Sequence, residues 1–587
     1  MIYLIIRRKS RNTQLRHCCR NHSILLDFGI MKLQWLMRVF AFFAFVLLVM
    51  SMIRRFKWNQ HNSVIESNNQ RLSKCIQTLQ NLRLANVKLN AELDDLNKKI
   101  RNQQRIKELK DSEPITPSKE YEVLRRRIYS NTKEYWYYVN SRLESLNKSM
   151  IGVKRIHKIK NIVGEHFRSL LKDISGLAEV DNYSKWRQQE SESLSILVQS
   201  RLEEIQNPPN WFTARQLVCK MEKLCGFGCQ LHHIVYCFIV AYSTQRMVVL
   251  DYYKYWRYGD VWPNIFLPLG ETSTSLKNIS VVEWPGNQNS QIVHLPPIDS
   301  IHPKPYFLPQ MIPADLAPRL TVLHGDPIVW WIGQILKYML RPQLSTIHIL
   351  DDYANKLKFQ KPIVGVHIRR TDKINTEASL HTLDEYMVHV EEYYKQKELS
   401  GNVSRKRIYL ATDEQTLFDE AKRNYPEYEI IGSDDISKTA SVNNRNSKEA
   451  LIGIIVDIHF LSLSDHLVCT FSSQLCRVAY EIMNSLYPDA SSRFTSLDDI
   501  YYFGGQAHRI NEVVLPHKAD GPDEIDLQVE DQIFVDGNHW NGYSKGKNLR
   551  TGLLGLYPTF KVIPKIETAT ITDTETIISQ DGKNKNN

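Results

Sequence analysis

The segment 363–368, which reads Ile-Val-Gly-Val-His-Ile, constrains the fold of this chain more than any other stretch. It is apolar throughout except for Gly365 and His367 and shows no polar alternation. Strands of parallel sheets carry helices on both faces and therefore read as continuous apolar runs. Between 210 and about 497, short apolar runs alternate with helical segments, which predicts an α/β fold with a parallel sheet. Further predicted strands are 247–250, 407–412 and 466–470.

Charged side chains are concentrated at the carboxyl end of the predicted strand 363–368 and directly after it. The cluster occupies eleven positions and contains His367, Arg369, Arg370, Asp372, Lys373 and Glu377. In open α/β sheets, ligands bind outside the carboxyl ends of the strands. Paired guanidiniums there offer forked, permanently charged donors that suit a diphosphate. The alternative is a basic strand end that makes surface ion pairs, but the density of charged groups favours a ligand site.

The run 33–53 consists of 21 residues and is apolar except for Gln34, Arg38 and Ser51. About 20 apolar residues span a bilayer. Basic residues are in excess before the run, which predicts a cytosolic tail over 1–32, a transmembrane signal anchor over 33–53 and an exported body. A cleaved signal peptide is the alternative, but no small-residue cleavage pattern follows the run. Met31 is an alternative start. We expect a single-pass type II membrane protein.

The net charge of +11 does not indicate a nucleic-acid-binding protein. The first 57 residues contain eleven Lys and Arg against one acidic residue, so they carry +10 of this charge. The remaining chain has no basic stripe that could bind a phosphate backbone. We therefore predict no nucleic-acid partner.

A seven-residue apolar repeat from Leu72 to Ile100, with Asn86 as its polar member, follows the anchor. This repeat predicts a coiled-coil stem over 54–111, in which Asn86 can fix the register and the number of strands. A lone amphipathic helix is the alternative. Residues 119–205 contain few Gly or Pro and predict a long helical pair. We expect a homodimer through the membrane-proximal helices.

Six cysteines follow these helices: Cys219, Cys225, Cys229, Cys237, Cys469 and Cys476. Their even number fits disulfides in an oxidising compartment, although the spacing leaves the pairing open. A zinc site with Cys225, Cys229, His232 and His233 as ligands is the alternative. Thiolates rarely stay free in such a compartment, and the usual paired spacing is missing. We predict disulfides and no metal site.

A second candidate site lies in the segment 466–483. An apolar strand over 466–470 is followed by Ser472 and Ser473, which offer N-cap hydroxyls to a helix over 475–483. A helix N-terminus at the carboxyl end of a strand is a ready anion site. A plain cap without a ligand is the alternative, and this segment alone leaves both interpretations open.

Several long motifs along the chain resemble those of a known protein family. They include GVHIRRTDK, EYMVHVEEYY, YLATDE, LVCTFSSQLCRVAYEIM, SLDDIYYFGGQ, CGFGCQLHH, HGDPIVWW and GNHWNGYSKG. Together they resemble the core α1,6-fucosyltransferases of the Golgi over nearly the whole chain. The resemblance implies a GT-B-like catalytic region, with an open α/β subdomain over 210–360 and a Rossmann-type GDP-fucose-binding subdomain over 361–497. It also implies inverting transfer of fucose from GDP-L-fucose to O6 of the innermost GlcNAc of N-glycans, without a metal or other cofactor.

The resemblance implies roles for matching donor-site residues. Arg369 would hold the β-phosphate in place of Mg²⁺, and Arg370 would support the fold and charge of that pocket. The other implied donor contacts are His367 and Asp457 to guanine, Tyr258 to ribose, and Ser472, Ser473 and Gln474 to the phosphates.

The resemblance also implies catalytic and acceptor residues. Glu377 would take the proton from the acceptor hydroxyl, with Lys373 tuning or relaying it. Asp372 belongs to the same catalytic segment. The acceptor contacts would be Lys223, Asp299 and His539, and two weaker candidates are Tyr386 and Asp413.

The region 506–567 resembles an SH3 barrel, although the usual ligand groove is only partly recognisable. A free SH3 domain that binds Pro-rich peptides is one interpretation. We favour the family arrangement, in which this domain packs against the catalytic unit with His539 facing the acceptor. The Thr-, Asp- and Asn-rich residues 568–587 predict a disordered tail.

By the same resemblance, the cysteines should pair as Cys219–Cys237, Cys225–Cys229 and Cys469–Cys476. The chain departs from the family pattern in two places. Trp211 and Ser273 stand where the family has a further cysteine pair, and Glu414 stands where it has Asp. Neither departure touches the Arg-Arg-Thr-Asp-Lys core, so we expect activity.

Two other functions remain open on the sequence. One is a fucosyltransferase with another acceptor, such as a chitooligosaccharide or a peptide. The other is a membrane-tethered glycan-binding or SH3 adaptor protein that has lost catalysis, which the intact cluster at 369–377 disfavours. We expect a Golgi membrane protein with a luminal catalytic region.

Overall fold

The structure is a computed structural model. It describes residues 49–52, 116–147, 153–210, 213–220, 223, 225–251, 258, 262–270, 281–287, 289–305, 307–308, 311–371, 379–440, 445–504 and 509–570. The predicted cytosolic tail, the stem, all but 49–52 of the anchor and most of the C-terminal tail lie outside these residues. So do Asp372, Lys373, Glu377, Trp211 and Ser273. Among the described residues, no helix is long and apolar enough to cross a membrane.

The chain divides into two units, 1–114 and 115–587. Three helices open the second unit: α1 (Lys119–Asn147), α2 (Val153–Val180) and α3 (Ser184–Gln206). The prediction of a helical pair is therefore wrong. Asn182 has φ 63°, a left-handed conformation that Asn tolerates and that cannot continue a helix. The Asp181 carboxylate accepts the Tyr183 backbone N–H at 2.9 Å and closes this turn.

A four-stranded sheet follows. Its elements are β1 (Gln216–Lys220), α4 (Phe227–Thr244), β2 (Met247–Asp251), α5 (Trp262–Ile265), β3 (Val281–Glu283) and β4 (Ile292–Leu295). All strand pairs are parallel, in the order β2-β1-β4-β3. Helix α4 is buried along almost its whole length. A helix that is apolar on every side belongs in a core, and α4 supplies the apolar cover that a parallel sheet requires.

A helical layer links this sheet to the next. It comprises β5 (Met311–Pro313), α6 (Ala317–Leu323), α7 (Pro327–Met339) and α8 (Leu344–Leu357). Helix α7 begins with proline at its first position, and the Asp326 side chain caps it by accepting the Val329 backbone N–H. Trp330 and Trp331 on α7 are almost completely buried. This helix therefore forms part of the main hydrophobic core.

The second sheet has five strands. Its elements are β6 (Ile363–Ile368), α9 (Leu383–Glu398), β7 (Lys406–Thr412), α10 (Thr416–Asn424), β8 (Tyr428–Ile431), α11 (Asp434–Thr439), α12 (Lys448–Leu463), β9 (His466–Cys469), α13 (Gln474–Leu486) and β10 (Phe494–Ser496). All strands are parallel, in the order β10-β9-β6-β7-β8. Every residue of β6 is buried, as its unbroken apolar run predicts. The α/β fold is confirmed.

The third sheet is antiparallel, as its strand pairs show. It comprises β11 (Ile510–Val513), β12 (Gln532–Asn538), β13 (Tyr543–Asn548), β14 (Leu554–Pro558) and β15 (Val562–Pro564). It contacts the rest of the unit through Trp540, whose Nε1 donates to the Asp498 carbonyl at 3.0 Å, and Arg509, which pairs with Asp326 at 2.7 Å. It occupies the region predicted as SH3-like; that identity stays a prediction.

The predicted start of the disordered tail is wrong. A last strand, β16 (Glu567–Ala569), pairs in parallel with β5. Thr568 pairs with Ile312, and Ala569 is only 4% exposed. Partners from a distant part of the chain give these backbone groups their hydrogen bonds, which the local composition cannot reveal.

Candidate active site

The order of strands in the second sheet defines a crevice. The chain proceeds from β6 to β7 and β8 on one side, whereas β9 and β10 lie on the other side of β6. At such a switch point, the connections leave the sheet in opposite directions and open a ligand crevice outside the strands' carboxyl ends. Strand β6 leads to Arg369 and Arg370, and β9 leads to the turn 470–474. The two sites predicted separately from the sequence therefore meet at one edge.

Asp413 holds both arginines in place. It follows the carboxyl end of β7, the strand next to β6. Its Oδ2 pairs with Arg369 Nη1 and accepts the Thr371 hydroxyl, while its Oδ1 accepts the Arg370 backbone N–H at 2.9 Å. The Asp413 side chain is only 3% exposed. A buried carboxylate with these partners fixes the direction of the chain as it leaves β6, so this weaker sequence candidate is a central organiser of the cluster.

Arg370 turns toward different partners. Its Nη1 lies 3.2 Å from Glu414 Oε2, and its Nη2 donates to the His381 carbonyl at 3.0 Å. Glu414 is one of the two departures from the family pattern, and its contact with Arg370 shows that the expectation that neither departure touches the arginine core is wrong. The structure gives the departure a role, because the longer side chain reaches the Arg370 guanidinium. Arg370 is thereby tied to the segment before α9.

The turn 470–474 is organised differently from the prediction. Ser473 is the N-cap of α13, but its side chain makes no cap hydrogen bond. The Asp498 carboxylate instead accepts the backbone N–H groups of Phe471, at 2.7 Å, and Ser472, at 3.2 Å. Sequence reasoning missed Asp498, although the pair Asp498 and Asp499, one residue beyond the end of β10, was a visible signal. An acidic residue here satisfies N–H groups that the local chain leaves unpaired.

The two predicted guanine contacts are buried, His367 on strand β6 and Asp457 on helix α12. Burial lowers the pKa of His367 to about 4, so its imidazole is neutral near pH 7. The Nδ1 atom of this ring has no hydrogen-bond partner among the described residues. Burial also raises the pKa of Asp457 to about 7, and its Oδ1 accepts the Tyr409 hydroxyl at 2.7 Å. Asp457 is therefore poised to change protonation near neutral pH.

The first sheet contributes to the same edge through the start of α4. Gly228 lies against Gln474, because a Cβ added there would meet the Gln474 Cβ at 2.9 Å. The adjacent Phe227 ring contacts the predicted ribose residue Tyr258 edge to face at 6.2 Å. Tyr258 and Gln474, which are far apart in the sequence, are therefore linked through two successive residues of α4.

Two predicted acceptor residues meet at the switch point of the first sheet. The order β2-β1-β4-β3 reverses between β1 and β4. Lys223 follows β1 and Asp299 follows β4, and their side chains form an ion pair on the surface. The Lys223 ammonium lowers the pKa of Asp299. His539, the third predicted acceptor residue, lies exposed after β12 and donates its backbone N–H to the Tyr543 carbonyl at 3.0 Å.

The six cysteines form three disulfides: Cys219–Cys237, Cys225–Cys229 and Cys469–Cys476. This is the pairing that the resemblance implies. Cys225, Cys229 and His233 place their potential ligand atoms within 4.8 Å of one another. Because the two sulfurs are bonded to each other, they cannot act as thiolate ligands. The third bridge spans the turn 470–474 and ties β9 to α13.

The fold and the site define an α/β enzyme whose ligand crevice, at a parallel-sheet switch point, carries two anchored arginines. Comparison with known proteins identifies the family. The family of alpha-(1,6)-fucosyltransferase N- and catalytic domains matches residues 29–502. The Drosophila melanogaster alpha-(1,6)-fucosyltransferase is 49% identical over 467 residues, which cover 78% of this chain and 75% of the relative. The Caenorhabditis elegans alpha-(1,6)-fucosyltransferase is 38% identical over 468 residues, 78% of this chain and 81% of the relative.

The chain therefore belongs to the alpha-(1,6)-fucosyltransferase family, and it is a fucosyltransferase. Among solved structures, the fucosyltransferase NodZ from Bradyrhizobium aligns with 46% of this chain and 93% of its own, at 12% identity and a TM-score of 0.30. That likeness is too distant to bear on the details of the site.

Proposed function

We propose that this enzyme transfers L-fucose from GDP-L-fucose to O6 of the innermost, asparagine-linked GlcNAc of N-glycans, with inversion at the fucose anomeric carbon. The observation that carries the proposal is the arginine pair that Asp413 holds at the carboxyl end of β6. Its place at a sheet switch point suits a nucleoside diphosphate, and the family membership supports the sugar and the linkage.

The donor diphosphate binds between the two strand ends. Arg369 contacts the β-phosphate, and the turn Ser472 to Gln474 contacts the phosphates from the side of β9. His367 and Asp457 recognise guanine, and Tyr258 contacts the ribose. No metal ion is needed in this arrangement, because the permanently charged Arg369 guanidinium takes the place of Mg²⁺. Stabilising the charge that develops on a leaving group is typically worth about 3 kcal/mol for each donor.

Glu377 acts as the general base, with Lys373 and Asp372 in the same segment. These residues lie outside the described part of the chain, so their roles rest on the motif that follows Arg370. The Glu377 carboxylate takes the proton from the acceptor O6 as that oxygen bonds to the fucose anomeric carbon. The bond from this carbon to the phosphate oxygen breaks at the same time, and GDP leaves with its negative charge on the phosphate that Arg369 binds.

The acceptor binds at the edge of the first sheet. Lys223 and Asp299 form an exposed ion pair there, so both can exchange their mutual contact for sugar hydroxyls. His539 approaches from the C-terminal sheet. An exposed ion pair contributes only about 0–1 kcal/mol, so opening it for a ligand costs little free energy.

An acceptor screen tests this function. The enzyme is incubated with GDP-fucose in EDTA and with N-glycan, chitooligosaccharide and peptide acceptors, and linkage is determined by mass spectrometry. We expect product on the N-glycan alone, with fucose at O6 of the innermost GlcNAc. Transfer to chitooligosaccharide or peptide instead would assign another acceptor. Absence of GDP-fucose binding in calorimetry would indicate the adaptor protein.

We also propose a Golgi location, a type II anchor over 33–53 and a dimer through the stem. The support is the sequence: an apolar run of 21 residues and a seven-residue repeat from Leu72 to Ile100. Sedimentation of a fragment that starts at Asn59 should show a tighter dimer than one that starts at Ser112. Equal dimer constants would assign the interface to the helices α1 to α3, and monomers in both would exclude the dimer.

A further inference from the structure

A buried hydrogen-bond network ends on Gln474. His232, on α4 of the first sheet, is 5% exposed, and its Nδ1 lies 2.5 Å from the Gln474 Oε1. The other ring nitrogen, Nε2, lies 3.0 and 3.1 Å from the two carboxylate oxygens of Glu481, which lies further along α13. His232 therefore bridges the first residue and a later residue of the helix that begins at the proposed phosphate turn.

Two aromatic residues hold the other end of this network. The Tyr501 hydroxyl donates to Glu481 Oε1 at 2.6 Å, and Glu481 is fully buried. The Phe503 ring packs on the His232 ring at 4.8 Å between centroids. A buried carboxylate requires such partners, because leaving it without hydrogen bonds is costly. Tyr501 and Phe503 thus hold Glu481 and the imidazole, and the imidazole in turn holds Gln474.

The two hydrogen bonds of the imidazole hold the Gln474 side-chain amide in place. The Glu481 carboxylate only accepts hydrogen bonds, so Nε2 of His232 donates to it, and Nδ1 bonds to the Gln474 side-chain amide. One end of the Gln474 amide is bound to the imidazole, so its other end is directed away from the ring.

Gly228 supplies an independent contact to the same residue. It lies one turn before His232 on α4, and an added Cβ would stand 2.9 Å from Gln474 Cβ and 3.0 Å from the Gln474 carbonyl carbon. A real Cβ does not approach that closely, so Gly228 is what permits α4 to reach Gln474. Two residues of one helix face therefore converge on Gln474.

We propose that His232 is a positioning residue for donor binding: it holds the Gln474 side-chain amide in the place from which it contacts the donor diphosphate. This inference rests on the proposed function, in which Gln474 contacts the phosphates. His232 does not touch the substrate. It couples the α4 helix of the first sheet to the phosphate turn of the second, so its loss should weaken donor binding only through Gln474.

A double-mutant cycle in the full-length protein in detergent tests the proposal. GDP affinity is measured by calorimetry, and KM and kcat for GDP-fucose by turnover. His232→Phe and Gln474→Ala should each weaken GDP binding and raise KM about tenfold, the effect of about 1.4 kcal/mol. The double variant should be no weaker than Gln474→Ala, because residues that act through one contact are not additive. Losses that multiply would overturn the proposal.

Three further variants distinguish a loss of the positioning role from a general loss of folding. His232→Gln, which keeps an amide N–H within reach of Gln474, should recover at least part of the affinity. Gly228→Ala should lower affinity by moving Gln474 while the imidazole stays. His466→Phe is the matched control, since this histidine lies at the opposite end of β9 and bonds to Thr495; its KM should equal that of the wild type.

The outcomes separate this inference from the function on which it rests. A wild-type protein that does not bind GDP overturns the proposed function and with it the role of Gln474. A wild-type protein that binds GDP, with His232→Phe and Gly228→Ala both binding equally well, overturns the positioning role alone. If His232→Phe does not fold, the Gly228→Ala and His232→Gln affinities decide the question in the same way.

Discussion

Arg369 and Asp413 form an ion pair that joins the carboxyl ends of two neighbouring strands, β6 and β7. The Arg369 side chain is 18% exposed and Asp413 only 3%, so the carboxylate is the more deeply buried partner. Asp413 also accepts the backbone N–H of Arg370. One buried carboxylate therefore sets the position of both arginines before any ligand arrives, which is how a preorganised charge stabilises a transition state.

Asp413→Asn should weaken donor binding without abolishing the fold. The amide keeps the shape of the carboxylate but loses the charge that holds the Arg369 guanidinium, so we expect KM for GDP-fucose to rise about tenfold or more. Steady-state kinetics and GDP calorimetry measure the change. Glu414→Gln is the matched control: Glu414 contacts the Arg370 guanidinium and the Thr416 hydroxyl and is 37% exposed, so its effect should be smaller. Equal effects of the two variants would contradict the central role of Asp413.

Arg369→Ala and Glu377→Gln should both nearly abolish transfer, but for different reasons. The first removes a charge-assisted contact to the diphosphate, so GDP affinity should fall with turnover. The second removes only the base, so GDP affinity should stay close to that of the wild type while kcat falls. Calorimetry with GDP beside initial-rate kinetics separates the two. Normal turnover by Glu377→Gln would remove this residue from the mechanism.

Catalysis should survive chelation. The proposed leaving-group contact is a guanidinium, which EDTA cannot remove, so rates measured with and without EDTA should agree. Lys in place of Arg369 is an informative companion variant, because it keeps the charge and loses the forked geometry. A rate that collapses in EDTA and returns with Mn²⁺ would contradict the proposal that Arg369 replaces a metal.

Donor affinity should fall as the pH drops through about 7. Burial raises the pKa of Asp457 to about 7, so the carboxyl is largely protonated below that pH. Guanine presents N–H donors and requires the ionised form, so GDP binding should expel a proton and weaken by up to about tenfold for each pH unit below 7. Calorimetry between about pH 6 and pH 8 measures this. In Asp457→Asn, binding should be weaker and independent of this titration; a flat wild-type profile would exclude Asp457 from the contact.

Local patterns determined much of the architecture. The apolar run 363–368 predicted a strand buried on both faces, because such a strand tolerates no polar alternation, and β6 has those bounds. The predicted ends of the strands at 247, 407 and 466 lie within one residue of the observed ends, because short apolar runs between helical segments usually form strands. The three helices at 119–206 were predicted as two, because a single left-handed Asn182 leaves no mark on apolar periodicity.

The sequence by itself determined which polar residues lie at the site, because Arg369, Arg370 and the serines of the turn follow strands that its hydrophobic pattern makes visible. Only the tertiary structure decided what holds them. Asp413, which follows β7, holds the arginines, and Asp498, which follows β10, accepts backbone N–H groups of the 470–474 turn. His232, on the helix α4 that packs on the first sheet, bonds to Gln474. These partners lie 26 to 242 residues away along the chain. A local pattern reports how a segment buries its own surface, whereas the pairing of distant polar groups depends on the order in which strands assemble in the sheet.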